Sequence, residues 1–228
     1  MNDIRAITLD LDDTLWETAP VIIRAERKLR AWFDRNYPRI TAQFSVEASY
    51  ELRKAVMVEH ADRVHDLTFL RCEVIRRMAV AAGYDDLDVD AAFAVFDRFR
   101  NDLELFPDVR PALTSLKQRF TVIAVTNGNA NLEKIGIAEL FDGYVSARSA
   151  GAAKPARPIF DAAVSAGGAE PSRTLHVGDH PEYDVDGARD AGLRTAWVNR
   201  SGAVWPEALQ QPDSTVTNLF ELERLLAG

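Results

Sequence analysis

The sequence predicts an α/β protein, with a Rossmann-like parallel-sheet core and a helical cap inserted after the first strand. Three observations lead to this prediction. The apolar run Arg5–Leu11 has the length and composition of a short buried strand. From Pro20 to about Leu105 the apolar residues recur only at helical spacing. After Phe106, apolar strand-like runs alternate with helical stretches, which is typical of strands joined by crossover helices.

The inserted region is predicted to form four helices. Their ranges are Val21–Phe33, Val46–His60, Asp66–Ala82 and Val89–Leu103. Ser45 is suited to cap the start of the second helix, Gly83 to end the third, and Pro38 is expected to stop the first. The predicted domains are therefore a core made of residues 1–16 and 106–228 and a helical cap made of residues 17–105.

The later strands follow from short apolar runs bounded by turn residues. They are predicted at Thr121–Asn127, Gly143–Ser146, Thr174–Asp179 and Arg194–Val198, with a weak last strand near Val216. In an open parallel sheet, ligands bind beyond the carboxyl ends of the strands. The polar residues that follow these runs are therefore the candidates for function.

Composition and charge narrow the function classes. The chain has 228 residues and a net charge of −8, with its basic residues scattered among acids, which argues against a nucleic-acid partner. No apolar run is long enough to span a bilayer, so no membrane partner is expected. The single cysteine, Cys72, cannot form an internal disulfide, and a cytoplasmic location is the expectation. No oligomeric state is predicted.

Two acids at alternate positions, Asp10 and Asp12, end the first strand. Residues two apart on a strand face the same side, so both carboxylates can face one pocket. One could attack phosphorus as a nucleophile, and the other could protonate the leaving oxygen and later activate water. A set of carboxylate oxygens completed by Asp179 suits Mg²⁺, while Lys154 and the Thr126 hydroxyl could bind phosphoryl oxygens.

Four short motifs occur in a fixed order: DLDDT from Asp10, VTNG from Val125, the pair Lys154-Pro155, and GDHPEYD from Gly178. In this order they resemble the motifs of the haloacid dehalogenase-like hydrolase superfamily. The resemblance covers the whole predicted core and includes a helical cap after the first strand. One departure is Tyr183, which stands where many relatives carry asparagine before the second acid of the last motif.

The resemblance implies a role for each motif residue. Asp10 would be the nucleophile that becomes an aspartyl-phosphate, and Asp12 the general acid and base, with its carbonyl on Mg²⁺. The phosphoryl group would be bound by Thr126, Asn127 and Lys154. Asp179 would ligate Mg²⁺, and Asp184 would support the metal site, although Asp184 could equally cap the helix that follows it.

Three function classes are compatible with these motifs. The first is a Mg²⁺-dependent phosphatase acting on a small phosphorylated metabolite, with a sugar phosphomutase as its variant. The second is a 2-haloacid dehalogenase; by resemblance, that reaction uses no metal and lacks acids at the positions of Asp12 and Asp179, so both acids favour phosphorus chemistry. The third is a binding module without catalysis, which the intact acid pair and lysine disfavour.

The predicted cap contains VHDLTFLR, Val64–Arg71. Together with VTNGNA, this stretch resembles the branch of the superfamily that dephosphorylates FMN and 5-amino-6-(5-phosphoribitylamino)uracil. His65 and Arg71 could offer hydrogen bonds to such a substrate, and Trp16 could stack on its ring. The alternative is that Arg71 lies on a solvated helix face and has no part in binding.

Overall fold

The structure is a computed structural model that describes residues 3–227. It divides into two compact units, one of residues up to Glu17 and from Glu104 onward, and the other of Thr18–Leu103. The first unit contains a parallel sheet and the second contains only helices and turns within its described residues. The predicted fold class, an α/β Rossmann-like core with a helical segment inserted after the first strand, is therefore confirmed.

Six strands form a single sheet in which every neighbouring pair is parallel. They are β1 (Ala6–Leu9), β2 (Thr121–Thr126), β3 (Gly143–Ser146), β4 (Thr174–Gly178), β5 (Arg194–Val198) and β6 (Ser214–Val216). The spatial order is β3-β2-β1-β4-β5-β6. Strands β2 and β3 therefore lie on one side of β1, and strands β4, β5 and β6 lie on its other side. The reversal beside β1 is the point at which such sheets open a crevice at their carboxyl edge.

The inserted unit contains five α-helices. They are α1 (Thr18–Asn36), α2 (Pro38–Gln43), α3 (Val46–Glu59), α4 (Leu67–Ala81) and α5 (Val89–Arg100). Ser45 caps α3 by accepting a hydrogen bond from the Ala48 N–H, and Asp66 caps α4 in the same way. Gly83 follows α4 with a φ of +71°, a left-handed conformation that favours glycine.

The short helix α2 differs from the sequence expectation. Pro38 was expected only to end the first helix, but it also occupies the first position of α2. Proline is well suited to that position, because the first N–H of a helix has no partner inside the helix. The core of this unit is formed by apolar residues of all five helices, among them Leu29, Ile40, Val56, Ile75 and Phe96.

Within residues 3–227, six further α-helices belong to the sheet-containing unit. They are α6 (Val109–Leu116), α7 (Leu132–Ile135), α8 (Ala147–Ala150), α9 (Arg157–Gly167), α10 (Gly187–Asp190) and α11 (Leu219–Ala227). Ile123 and Val125 of β2 pack in one cluster with Phe160 of α9, while the alternate residues Val122 and Ala124 are also buried. Both faces of the sheet are thus covered, as parallel sheets require. Across residues 3–227, none of the helices is both long and apolar enough to cross a bilayer.

Candidate active site

The loop after β1 places two acids in different surroundings. Asp10 is buried, and its N–H donates to the Val177 carbonyl at 2.9 Å, which holds it against β4. Asp12 is partly exposed, and its carboxylate accepts a hydrogen bond from the Trp16 indole at 3.0 Å. Asp13, which directly follows Asp12, has a φ of 62°, which is uncommon for a residue other than glycine. Aspartate adopts this left-handed conformation more readily than most residues, because its short side chain can form local hydrogen bonds.

Thr14 connects the first and fourth strand ends. Its hydroxyl donates to Asp10 Oδ2 at 2.9 Å and lies 3.3 Å from Asp179 Oδ1. The residue is fully buried, so its hydroxyl depends on these partners. Asp179 is held in turn by Trp197, whose indole donates to the Asp179 carbonyl at 2.7 Å.

Lys154 lies at the centre of the site. Its Nζ is 2.5 Å from Asp10 Oδ1 and 2.6 Å from Asp184 Oδ1, and all three side chains are buried. The Asn127 amide fixes the lysine backbone, because it accepts from the Lys154 N–H at 2.7 Å and donates to the Lys154 carbonyl at 2.9 Å.

Asp184 lies in a π-helical turn, Pro181–Asp186, that follows β4. Its Oδ2 accepts from the His180 N–H at 2.9 Å, and its Oδ1 lies 3.2 Å from His176 Nε2. The other ring nitrogen of His176 lies 2.8 Å from the Thr8 hydroxyl. Asp184 therefore does not cap the next helix, as one sequence interpretation held; its carboxylate is directed at Lys154 and His176.

Close packing beneath Asp184 requires glycine at position 178. A Cβ built on Gly178 would lie 2.3 Å from Asp184 Cγ and 2.4 Å from its Oδ2. Carbon atoms in contact normally stand about 3.5–4.0 Å apart. The glycine at the end of β4 thus allows Asp184 to approach Lys154.

The site holds more negative than positive charge. Carboxylate oxygens of Asp10, Asp179 and Asp184 all lie within 4.8 Å of one another, with the Lys154 ammonium among them. Burial, together with the charges of Asp184 and Asp13, raises the pKa of Asp179 to about 7. Burial and the two neighbouring carboxylates likewise raise the pKa of Asp10 well above its usual value, against the opposing effect of Lys154.

Two other groups are held in their charged forms. Burial alone would raise the pKa of Asp184, but Lys154 and His176 outweigh it and lower that pKa. Burial would lower the pKa of Lys154, but its two carboxylate partners raise it above its usual value. For His176, burial dominates and lowers the pKa, which favours a neutral ring. The pKa shifts thus favour the ionised forms of Lys154 and Asp184 and oppose ionisation of Asp10 and Asp179.

This donor set fits a hard divalent cation. Three clustered carboxylates offer only oxygen ligands, which Mg²⁺ prefers. A cation bound between Asp10 and Asp179 would favour their ionised forms and so oppose the burial and carboxylate repulsion that raise their pKa values. The predicted set of Asp10, the Asp12 carbonyl and Asp179 shares two carboxylates with this cluster, and Asp184 is the third carboxylate within reach.

Several predicted substrate contacts have partners within their own unit. Arg71 is 2.7 Å from Glu26 in an ion pair, and its guanidinium stacks on Phe96 at 3.4 Å from the ring centroid. Trp16 is buried and donates to Asp12, and His65 lies partly buried in the turn before α4. The charge of Arg71 is therefore already compensated inside the helical unit.

Thr126 ends β2, and its hydroxyl accepts from the Gly128 N–H at 2.8 Å, which shapes the turn after the strand. Sequence reasoning did not assign roles to Thr14 or Trp197. Thr14 stands inside the DLDDT motif, so its position carried a signal, whereas nothing local marks Trp197. His176 is buried, and both of its ring nitrogens lie within hydrogen-bond distance of a partner.

A six-stranded parallel sheet with clustered acids and a buried lysine at its switch point defines an α/β enzyme with its site at the carboxyl edge. The family model described as haloacid dehalogenase-like hydrolase matches residues 4–192. The chain belongs to this family of hydrolases.

Curated relatives and solved structures match over most of the chain. The 5-amino-6-(5-phospho-D-ribitylamino)uracil phosphatase YigB of Escherichia coli is 30% identical over 226 residues, which is 97% of this chain and 93% of YigB. The pyrimidine 5'-nucleotidase YjjG of Escherichia coli is 37% identical over 126 residues, covering 53% of this chain and 56% of YjjG. A crystal structure described as a 2-haloacid dehalogenase from Pseudomonas syringae pv. Tomato DC3000 is 37% identical with a TM-score of 0.93, covering 98% of both chains.

Proposed function

We propose that this hydrolase is a Mg²⁺-dependent phosphatase that cleaves a small phosphomonoester through an aspartyl-phosphate on Asp10. The observation that carries the proposal is the Lys154 ammonium between Asp10 and Asp184, with Asp179 beside them. A buried cation next to a carboxylate at a sheet's carboxyl edge is suited to hold a phosphoryl dianion against that carboxylate.

The first half of the reaction is transfer to Asp10. A carboxylate oxygen of Asp10 attacks phosphorus, and the ester P–O bond breaks. Asp12 gives its proton to the leaving oxygen, so the product is a neutral alcohol. Lys154, the Thr126 hydroxyl and main-chain N–H groups near Asn127 are the proposed donors to the phosphoryl oxygens.

The second half is hydrolysis. Asp12 is now a carboxylate and removes a proton from a water molecule, whose oxygen attacks phosphorus. The bond between phosphorus and Asp10 breaks, inorganic phosphate leaves, and Asp12 is protonated again. The Trp16 indole, 3.0 Å from Asp12 Oδ1, orients this carboxyl group through both halves.

Mg²⁺, held by Asp10, the Asp12 carbonyl and Asp179 with support from Asp184, would supply positive charge for the phosphoryl oxygens. The clustering of the Asp10, Asp179 and Asp184 carboxylate oxygens within 4.8 Å supports this, as does the pKa of Asp179, which burial and neighbouring acids raise to about 7 and which a bound cation would lower. Thr14 holds the carboxylates of Asp10 and Asp179 close to each other, since its hydroxyl contacts both.

For the substrate, we propose FMN or 5-amino-6-(5-phospho-D-ribitylamino)uracil, with the helical unit acting as the cap that recognises the leaving group. The full-length similarity to YigB, named for the latter compound, supports this. His65 stays a candidate for contacts with the ribityl chain or the ring. Trp16 and Arg71 are weaker candidates, because Trp16 is fully buried and bonded to Asp12, and Glu26 already compensates the charge of Arg71.

A second candidate is a 2-haloacid dehalogenase, favoured by the Pseudomonas syringae structure that carries this description. In that reaction Asp10 would attack carbon, halide would leave, and water would cleave the resulting ester. A phosphomutase would share the phosphatase's first half. The phosphatase is preferred because a leaving halide needs no proton, whereas Asp12 and Asp179 have clear tasks in phosphoryl transfer.

One set of assays separates these functions. Purified protein is tested on p-nitrophenyl phosphate, FMN and 2-chloropropionate, each with added Mg²⁺ and after exhaustive chelation. The proposal expects Mg²⁺-dependent phosphate release, its loss in Asp10→Asn and Asp10→Ala, and no chloride release. Metal-independent chloride release without phosphate release would establish the dehalogenase instead. A preference for sugar phosphates or nucleotides over FMN would remove the flavin-pathway substrate and leave the phosphatase.

A further inference from the structure

Arg200 lies two residues beyond β5, at the carboxyl edge of the sheet, and contacts two distant segments of the chain. Its Nε donates to the Thr14 carbonyl at 2.9 Å. Its two terminal nitrogens donate to the two carboxylate oxygens of Asp108, at 3.1 Å and 2.8 Å. Its guanidinium also covers the Phe106 ring, 4.1 Å from the centroid. The guanidinium group thus donates from all three of its nitrogens and also places its flat face on an aromatic ring.

The Arg200–Asp108 pair is largely shielded from water. The side chains are 16% and 7% exposed, and Asp108 also accepts a hydrogen bond from the Leu219 N–H at 2.7 Å. Burial would raise the pKa of Asp108, but the guanidinium and the Leu219 N–H lower it. The pair is therefore ionised and bidentate. Its hydrogen bond to Leu219 also joins it to the first residue of α11, so its position within the sheet-containing unit is well defined.

Arg200 contacts the two segments through which the chain leaves the sheet-containing unit and later re-enters it. Thr14 belongs to the loop after β1, and Phe106 and Asp108 belong to the segment before α6. The Phe106 N–H also donates to the Leu15 carbonyl at 2.9 Å, so the two segments are joined to each other as well. Arg200 attaches both of them to the end of β5.

We propose that Arg200 is a positioning residue for the reaction, acting through Thr14. By fixing the Thr14 carbonyl, it keeps the Thr14 hydroxyl against Asp10 and Asp179, which lie 2.9 Å and 3.3 Å from it. The activity test of this inference rests on the proposed function, because it measures phosphatase turnover. Lysine cannot replace arginine here, because three separate donors in one plane are needed for a carbonyl and a carboxylate together.

The test compares Arg200→Lys, Arg200→Met and Arg200→Ala with Arg194→Met. Arg194 is the matched control: it lies at the amino end of β5, the end of the strand opposite to Arg200, and pairs with Asp213 at 3.3 Å. For p-nitrophenyl phosphate, the Arg200 variants should lose about tenfold to hundredfold in kcat with little change in KM, the cost of small misplacements at a reacting centre. Arg194→Met should keep the wild-type kcat.

Two further measurements separate positioning from a loss of folding. Added methylguanidinium should restore part of the kcat of Arg200→Ala and leave Arg194→Met unchanged. Amide hydrogen exchange should become faster in residues 11–16 of Arg200→Met, and not in Arg194→Met. Since exchange needs no substrate, it still tests the positioning role if the wild-type protein proves not to be a phosphatase.

Three outcomes would overturn the inference. The first is a kcat of Arg200→Lys equal to that of the wild type. The second is exchange in residues 11–16 that is unchanged in Arg200→Met. The third is a loss of kcat that matches the unfolded fraction in every Arg200 variant and does not respond to methylguanidinium.

Discussion

Replacing Gly178 by alanine should damage catalysis much more than folding. The added methyl group would lie 2.3 Å from Asp184 Cγ and 2.6 Å from its Cβ. Asp184 is buried and bonded on three sides, to Lys154, His176 and the His180 N–H. It cannot swing aside without breaking at least one of these bonds, so the strain should pass directly to Lys154.

The magnitude follows from the contact distance. To restore a normal carbon–carbon contact of about 3.5 Å, Asp184 must move by about 1 Å. Misplacements of about 1 Å in an active site cost about a hundredfold in rate. Overpacking of this kind typically costs about 1–3 kcal/mol of stability, which corresponds to a fall in Tm of a few degrees for a domain of this size.

The assay is the kcat of Gly178→Ala on p-nitrophenyl phosphate, with thermal unfolding measured in parallel. Gly143→Ala is the matched control, because Gly143 is also a strand glycine and its added Cβ would meet only the flexible end of Ile123, at 2.9 Å. We expect the control to lose little activity. A Gly178→Ala enzyme within threefold of the wild-type kcat would show that the position of Asp184 does not govern Lys154.

Three further predictions concern individual side chains. Asp12→Asn should lower kcat about a hundred- to ten-thousandfold and leave Tm nearly unchanged, since asparagine can still accept the Trp16 hydrogen bond; a kcat near wild type would exclude Asp12 as the acid. Because the pKa of Asp179 is raised to about 7, the metal-free folded state binds the Asp179 proton more tightly than the unfolded state does. Protonation of Asp179 therefore adds to the free energy of unfolding at low pH, and this stabilisation is lost as the pH rises through about 7. Mg²⁺ must displace the same proton, so its affinity by calorimetry should rise about tenfold per pH unit up to pH 7 and then level off, and a pH-independent affinity would contradict this. Arg71→Ala should lower Tm because it leaves Glu26 half-paired, and it should lower kcat/KM for FMN and p-nitrophenyl phosphate equally; a selective loss on FMN would instead make Arg71 a substrate contact.

Local pattern was enough to predict most of the secondary structure. The strands Gly143–Ser146 and Arg194–Val198 have the predicted bounds, and α3 begins at Val46 behind its Ser45 cap. These features depend on neighbours in sequence: apolar runs, turn residues and a side chain that reaches an N–H three residues on. α2 was missed because its proline was interpreted as a stop and not also as a first helical residue.

The candidate site was predicted to the extent that its residues follow strand ends. Asp10, Lys154 and Asp179 could be grouped because the carboxyl ends of parallel strands share one edge. The sequence alone did not indicate that Asn127 holds the backbone of Lys154, or that Arg71 is paired with Glu26. Those partners are far apart in sequence, and a motif does not record which polar groups a side chain meets.

The sequence by itself determined the alternation of strands and helices in the core, the acids at the end of β1 and the lysine expected to lie beside Asp10. Only the tertiary structure decided that Thr14 bridges Asp10 and Asp179, and that Arg200 binds both Thr14 and Asp108. The physical reason is that a hydrogen bond needs two groups within about 3 Å in the right orientation. For Arg200 and Asp108, 92 positions apart, or Thr14 and Asp179, 165 positions apart, sheet register and packing set that distance, and neither is written in a local pattern.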